Sequence, residues 1–173
     1  MFWVGAQKLK CQGGFSLVEV VMVMLLLSIT AASFASSFNF APTHLKHAEE
    51  KIMADVRYAK NLAMTRGGYY GLFFEPSKNR YTVFEQTPNT PVRDPMDLSR
   101  NFVVDFDTDG ACKGVDLASA SFQNHAVLLF DAQGIPRDIM GIEMNSDGQI
   151  IIANDSGSRT MTVSSGTGKI QSQ

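Results

Sequence analysis

The sequence predicts an α+β fold, in which a long amino-terminal helix packs on an antiparallel, sandwich-like β domain. Three observations predict it: an apolar run near the amino terminus, a following segment with helical spacing of apolar residues, and a remainder of short strand-like segments separated by turn residues. The 173 residues suffice for one globular domain and an anchor. We expect the apolar half of the helix over residues 15–38, its amphipathic half over 39–66 and the β domain over 67–173.

The charge balance of the chain is close to neutral. Fifteen basic and seventeen acidic side chains give a formal net charge of -2. This balance does not indicate a polyanionic partner, so nucleic acid binding is not expected. Cys11 and Cys112 are not expected to form a disulfide, because an apolar segment that crosses a membrane would leave them in different compartments.

The apolar segment 15–38 is long enough to cross a bilayer. As a helix rising about 1.5 Å per residue it covers about 36 Å, whereas the hydrocarbon core measures about 30 Å. Lys8 and Lys10 precede it and no acidic residue does, so the positive-inside rule predicts a cytoplasmic amino terminus. An ordinary secretory signal, cleaved near residues 33–35, is the alternative interpretation.

Two features of this segment count against a disposable signal. Glu19 lies one helical turn inside the apolar run, where an ionisable group is costly unless it is paired; for other charged residues the cost is about 2.5–3.5 kcal/mol at mid-membrane and less near the edge. Ser28, Ala32 and Ser36 recur at every fourth position, which is typical of a face on which membrane helices approach closely. A merely alanine- and serine-rich membrane exit is the alternative explanation of the second feature.

The segment that follows is predicted to be an amphipathic helix that leaves the membrane. Pro42 begins a new turn or kinks the helix, and Gly67-Gly68 ends it. Apolar side chains recur at three- and four-residue spacing, while charged side chains fill the other faces. The apolar positions are Leu45, Ala48, Ile52, Val56, Ala59 and Ala63, and the charged ones are Lys46, Glu49, Glu50, Asp55 and Arg57.

The remainder of the chain is predicted to consist of antiparallel strands. Apolar and β-branched residues alternate in seven short segments, and turn residues separate them. Hairpin turns are expected at 145–148 and 155–158, and no internal repeat is expected. The predicted strands are 69–75, 80–86, 102–106, 126–131, 139–144, 149–153 and 159–163.

Residues 14–19, Gly-Phe-Ser-Leu-Val-Glu, followed by an apolar helix, resemble the class III leader of type IV prepilins and type II secretion pseudopilins. The resemblance implies that residues 1–14 are a leader peptide, which a prepilin peptidase removes after Gly14 before the new terminus at Phe15 is methylated. It also implies that Glu19 pairs with the terminal ammonium of a neighbouring subunit. Such a pair would relieve the cost of two charges in an apolar environment.

Three later segments are similar to the H-type minor pseudopilins and the FimT-type minor pilins. They are a basic, alanine-rich helix at 53–67, a Phe-x-x-x-Gly turn within 128–138 and a terminal strand region at 160–170. DNA-binding members of the FimT branch carry a basic Gly-Arg-x-Arg motif near the carboxyl terminus. This chain has Gly-Lys-Ile-Gln at 168–171, with one positive charge, which disfavours DNA uptake.

The resemblance implies a non-enzymatic structural subunit, a minor pseudopilin of a type II secretion pseudopilus. Its expected partners are the prepilin peptidase, other minor and major subunits, and an inner-membrane assembly platform. It would cross the inner membrane once, with its carboxy-terminal domain in the periplasm. A minor pilin of a type IV pilus, serving adhesion, motility or DNA uptake, is the alternative of the same architecture. A membrane-anchored periplasmic β domain with a binding role is the alternative of another class.

The sequence predicts neither an enzyme nor a cofactor. The segment 164–170 resembles a P-loop, but Val163 stands where the first glycine is needed and Ile170 replaces the magnesium-binding hydroxyl. A Gly-x-Ser-x-Gly motif is also absent from the sequence, so no catalytic residue is predicted.

One acidic segment, 105–116, has the spacing of a calcium loop. Carboxylates stand at alternate positions, Gly110 stands sixth, and an Asp replaces the usual Glu at the twelfth position. A solvated acidic turn between strands is the alternative interpretation, because the flanking residues do not predict a pair of helices. The ligands that this spacing predicts for calcium are Asp105, Asp107, Asp109, the carbonyl of Ala111 and Asp116.

Overall fold

The computed structural model of the chain describes residues 16–35 and 41–173, and the side chains of 16–32 and 41–173. The chain divides into two compact units, Met1–Asn39 and Phe40–Gln173.

The first unit contains helix α1, Leu17–Ala35, which lies within the predicted apolar segment. Neither glycine nor proline interrupts it, and the Ser28 hydroxyl is satisfied by donating to the carbonyl of Met24 one turn earlier, at 2.7 Å. Within the described residues, no helix is both long enough and apolar enough to cross a membrane.

The second unit begins with helix α2, Ala41–Arg66. All six apolar positions that the spacing predicts for its core-facing stripe are buried. Pro42 lies in the first turn, where a missing N–H costs nothing. Gly67 follows the last helical residue; its φ of +70° suits glycine, and its N–H donates to the carbonyl of Ala63 at 3.0 Å.

Strands form the rest of the second unit, and all their pairings are antiparallel. In the described part of the chain one sheet has the order β3-β2-β1-β5-β6 and the other the order β4-β7-β8-β9. The strands are β1 (Tyr70–Glu75), β2 (Arg80–Glu85), β3 (Val103–Asp105), β4 (Asp116–Ser121), β5 (Val127–Phe130), β6 (Pro136–Arg137), β7 (Gly148–Asn154), β8 (Gly157–Val163) and β9 (Ile170–Ser172).

The predicted strand at 139–144 is wrong. This segment is a turn, because the Asp138 carboxylate accepts the backbone N–H groups of Met140 and Ile142, both at 2.9 Å, and so folds the chain back on itself. The expected hairpin at 145–148 is therefore a bend leading into β7, whereas the hairpin between β7 and β8 is confirmed. The structure also contains β4, β6 and β9, which the alternation of residues does not predict.

Helix α2 and both sheets share one hydrophobic core. The largest side chains buried there are aromatic, and the rings of Phe74 and Tyr81 lie 5.6 Å apart, with Phe122 5.7 Å from Phe74. A smaller cluster of Phe84, Val127 and Leu129 occupies the opposite face of the five-stranded sheet. The fold is therefore the expected α+β arrangement of a helix on antiparallel sheets.

Two acidic residues of α2 are buried, although the sequence places them on the polar faces. Glu49 lies 3.6 Å from the guanidinium of Arg159, and Asp55 accepts a hydrogen bond of 2.5 Å from the Tyr81 hydroxyl. The reason is that α2 contacts strands of both sheets, so its buried surface is wider than the apolar stripe alone.

We predict that Gly71→Ala lowers the free energy of unfolding of the 40–173 fragment by about 2–3 kcal/mol in chemical denaturation. A methyl group at this position in β1 would overlap the carbonyl oxygen of Leu128 and lie 3.0 Å from the Cα of Leu129, in the paired strand β5. Gly166→Ala is the control, because no atom lies within 4 Å of its added methyl. Equal stability of the two variants would contradict this packing.

Candidate functional site

Helix α1 presents an apolar surface around a single carboxylate. Its large apolar side chains from Leu17 to Ile29 are 45–79% exposed, and Glu19 is its one charged residue. The described part of the chain contains no hydrogen bond or ion pair to the Glu19 carboxylate. Exposed apolar surface on this scale is unfavourable in water, so the helix requires an apolar medium or a protein partner.

The processing residues predicted from the sequence, Gly14 and Phe15, lie outside the described residues. Of the small-residue face, Ser28 and Ala32 lie exposed on α1, and Ser36 lies outside the described residues. The cleavage position and the pairing of Glu19 with an ammonium group therefore stay predictions.

The acidic segment 105–116 is a folded turn whose carboxylates are used within the protein. Asp105 accepts the N–H of Asp107 at 2.9 Å, and Asp109 accepts the N–H of Ala111 at 3.0 Å. The carbonyl oxygen of Ala111 lies 2.8 Å from Nδ1 of His44 on α2. The segment is thus attached to the helix.

Asn79, between β1 and β2, fixes the other side of this segment. Its Nδ2 donates to Asp107 Oδ1 at 2.7 Å and to the carbonyl of Val115 at 3.0 Å, while its Oδ1 accepts the N–H of Leu117 at 2.8 Å. Asp116 Oδ1 lies 3.5 Å from the same Nδ2. The sequence gives no signal for this role of Asn79 beyond its place in a turn.

Calcium binding by this segment stays a prediction. Among residues 16–35 and 41–173, no three His, Cys, Asp or Glu side chains are grouped so as to hold one metal ion. The five predicted ligands already make contacts within the protein; they are Asp105, Asp107, Asp109, the Ala111 carbonyl and Asp116.

A cleft of about 550 Å³ lies between α2 and the chain segments on either side of β3. Burial raises the pKa of Asp55 in this cleft, and the hydrogen bond from Tyr81 and the charge of Lys51 oppose that rise.

Burial, with the nearby charge of Asp109, raises the pKa of the Cys112 thiol to about 11, so this thiol is not a nucleophile at neutral pH. Both charged and apolar side chains line the cleft. Its lining consists of Lys51, Ala54, Asp55, Tyr58, Asp94, Pro95, Met96, Arg100, Phe102, Val103, Val104, Asp105, Thr108, Asp109 and Gly110.

Two turns of identical pattern, Asp-x-x-Gly-Ile, follow each other at 131–135 and 138–142. The expectation of no internal repeat is therefore wrong: the five-residue pattern recurs at a spacing of seven residues, which is visible in the sequence. In each turn the buried Asp accepts the N–H groups two and four residues later, and the Gly N–H donates to the Asp carbonyl.

Arg137 connects the two turns. Its guanidinium binds the Asp131 carboxylate at 2.7 Å and donates from Nη1 to the carbonyl of Gly141 at 3.1 Å. Burial alone would raise the pKa of Asp131, but the N–H of Ile135, the guanidinium and the N–H of Gln133 outweigh it and lower that pKa.

Comparison with known proteins decides the family. Residues 48–167, more than half of the chain, match the family described as type II transport protein GspH. The chain belongs to this family. Residues 9–35 also match the prokaryotic N-terminal methylation motif. No curated protein sequence matched the chain significantly.

Two solved structures show the same pilin-like fold as this GspH-family chain. The minor pseudopilin EpsH from the type 2 secretion system of Vibrio cholerae is 11% identical, with a TM-score of 0.53 over 75% of this chain and 96% of that one. The type IV minor pilin FimU of Pseudomonas aeruginosa is 14% identical, with a TM-score of 0.52 over 78% of this chain and 91% of that one. These likenesses show the fold, and the match of residues 48–167 places the chain in a family of pilin-like proteins, which assemble with other pilins.

We predict that Asp55→Asn changes the pH dependence of stability. The raised pKa means that the folded chain holds this proton more tightly than the unfolded chain. The contribution of Asp55 to the free energy of unfolding is therefore fully present below about pH 4 and falls as pH rises through the raised pKa. Asn keeps an oxygen for the Tyr81 hydroxyl and does not ionise.

The measurement is chemical denaturation of the 40–173 fragment from pH 4 to pH 8. The stability of Asp55→Asn relative to the original chain should rise with pH, whereas Glu50→Gln, at an exposed carboxylate, should give a nearly constant difference. A difference for Asp55→Asn that does not depend on pH would contradict the raised pKa.

The calcium prediction is tested by melting the same fragment in millimolar calcium and in chelator. Bound calcium should raise the melting temperature by mass action, and Asp107→Ala combined with Asp109→Ala should abolish that rise. An unchanged melting temperature would leave the acidic turn as the explanation.

Proposed function

We propose that the chain is a minor pseudopilin, a structural subunit of a type II secretion pseudopilus. The observation that carries this proposal is the match of residues 48–167 to the type II transport protein GspH family. The match of residues 9–35 to the prokaryotic N-terminal methylation motif supports cleavage of a leader peptide and methylation of the new amino terminus. In this proposal the chain performs no catalysis and needs no cofactor, because its function is assembly.

The proposed maturation produces the assembling form of the chain. A prepilin peptidase removes residues 1–14 and methylates Phe15, which leaves a terminal ammonium four residues before Glu19. In a filament, the Glu19 carboxylate of one subunit pairs with the ammonium of another. An apolar surrounding strengthens this attraction and makes either charge costly when it is unpaired.

We propose a different location for the apolar segment and for the β domain. The apolar segment 15–38 anchors the subunit once in the inner membrane, with a cytoplasmic leader and a periplasmic β domain, until it is extracted into the filament. The exposed apolar surface of α1 and the positive charges before it support this orientation. The proposed partners are the peptidase, minor and major pseudopilins, and the inner-membrane assembly platform.

A minor pilin of a type IV pilus is the second candidate, because the fold is shared about equally with FimU and with EpsH. Deletion of the gene should abolish protein secretion for a pseudopilin, and piliation, motility or DNA uptake for a pilin. DNA binding is not expected, since Lys169 is the one basic residue among the last ten. A membrane-anchored periplasmic binding domain, the remaining alternative, would not enter a filament.

We predict that the mature protein begins at N-methyl-Phe15. The measurement is the intact mass and amino-terminal fragment spectrum of protein extracted from the membrane of the native host. Gly14→Ala is expected to leave the leader attached, because the peptidase cuts after this glycine in the family that the leader resembles. A terminus near residue 36 would mean an ordinary signal peptide and would refute the filament proposal.

We predict that Glu19→Ala is still processed but enters filaments at least about tenfold less than the original chain, because the ammonium of its neighbour loses its partner. Immunoblotting of sheared filaments measures this. Glu50→Ala is the matched control, since it removes an exposed carboxylate from α2. Equal incorporation of the Glu19 variant would contradict the pairing.

A further inference from the structure

The turn 138–142 holds three apolar side chains out to solvent. Ile139, Met140 and Ile142 are 45%, 74% and 59% exposed. They follow the edge strand β6 of the five-stranded sheet. Three adjacent large apolar side chains on one surface turn are more than the single exposed residues that soluble proteins normally carry.

The backbone of this turn is fixed, so the exposure is not a consequence of a loose loop. The buried Asp138 carboxylate accepts the N–H groups of Met140 and Ile142, and the N–H of Gly141 donates to the Asp138 carbonyl at 3.0 Å. Gly141 has a φ of +78°, which favours glycine. The Arg137 guanidinium donates to the carbonyl of Gly141 in this turn. A partner would meet a surface that is already ordered and would lose little entropy on binding.

The preceding turn, 131–135, shows that this framework does not require an apolar tip. It has the same hydrogen bonds, but Ala132 and Gln133 occupy the places of Ile139 and Met140. That turn lies against α2 at Gly134, where an added methyl would lie 2.8 Å from Lys60 and 2.9 Å from Met64, and its own tip, Ala132 and Gln133, is exposed. No atom lies within 4 Å of the same position at Gly141. The turn framework therefore does not account for the apolar side chains of the second tip, each of which is at least 45% exposed.

We propose that the turn 138–142 is a docking surface for the β domain of a neighbouring pilin-like subunit in the same filament. The partner surface is apolar and uncharged, because the tip carries no charge and Arg137 is occupied by Asp131 at 2.7 Å. This inference rests on the proposed function.

The small area of the tip identifies this occupant. Three side chains offer roughly a few hundred Å², whereas a stable complex between free proteins needs about 800 Å² on each side. A partner in free solution would not be retained by the turn. A subunit already held beside this one through apolar α1 helices is present at high effective concentration, and for it a small, ordered contact suffices.

The first experiment places the photo-activated residue p-benzoylphenylalanine at Met140 of the full chain in the native host, and at Gln133 as the matched position of the first turn. Irradiated, sheared filaments should contain an adduct between the chain and a different pilin-like subunit, identified by mass spectrometry, for Met140 and not for Gln133. Equal adducts at both positions, no adduct at Met140, or an adduct with a non-pilin protein or a second copy would overturn the proposal.

The second experiment gives the second turn the tip of the first, by Ile139→Ala with Met140→Gln. Folding should be unaffected, with a melting temperature within about 2 °C of the original, because the same residues already fit this turn. Incorporation into filaments should fall at least about fivefold, while Leu98→Gln, at an exposed apolar residue of another turn, should change it less than twofold. Unchanged incorporation of the double variant, or an equal loss for Leu98→Gln, would overturn the proposal.

Failure of this inference and of the proposed function are distinguishable in the same filaments. If the original chain is present in them and the double variant enters equally, only the docking surface is refuted. If the original chain is absent from them, the proposed function is refuted and the docking surface with it.

Discussion

The packing of helix α2 against both sheets is the contact on which the rest of the second unit depends. Its buried stripe, from Leu45 to Ala63, contributes to the core that residues of both sheets complete. Neither sheet has another element of this length to cover it among the described residues, and antiparallel sheets need one face covered. The helix also fixes the loops, because His44 contacts the acidic segment and Lys60 donates to the carbonyl of Thr167 at 2.6 Å.

The two helices have opposite surface chemistry, and this contrast is the physical basis of the proposed function. Helix α2 buries its apolar side chains within its own unit, whereas α1 leaves its apolar side chains exposed around Glu19. In the proposed function, lipid covers this surface first and the equivalent helices of other subunits cover it later. In the same proposal, the Glu19 carboxylate makes the choice of neighbour specific, because a charge in an apolar surrounding needs a positive partner at a defined depth.

Periodicity in the sequence predicts the fold well where a helix has one continuous apolar stripe and where strands alternate. It fails at Glu49 and Asp55, because the width of the buried face depends on two sheets packing on one helix. It fails at 139–144, since apolar residues suggest a strand but hydrogen bonds to the Asp138 side chain impose a turn. Strand β4 is missed because its sequence, Asp-Leu-Ala-Ser-Ala-Ser, contains small residues and one buried large apolar side chain.

The candidate site is predictable to a different extent. The cost of a charge in an apolar helix singles out Glu19, and the resemblance of the leader implies the pairing role proposed for it. The acidic spacing at 105–116 suggests calcium, but spacing does not reveal that Asn79 and His44 contact this segment and that some of its carboxylates accept hydrogen bonds of the turn itself. The docking turn was predictable in part, because the repeated Asp-x-x-Gly-Ile pattern is visible in the sequence, whereas the exposure of its tip requires the structure.

The central claim is that this chain is a subunit within a filament. The most direct measurement is quantitative mass spectrometry of purified filaments from the native host, comparing cells that produce the original chain with cells that produce a chain lacking residues 15–38. The account predicts peptides of the original β domain at a small, constant ratio to the major subunit, and none from the shortened chain. Filaments free of the original chain, while that chain remains in the membrane fraction, would contradict the account.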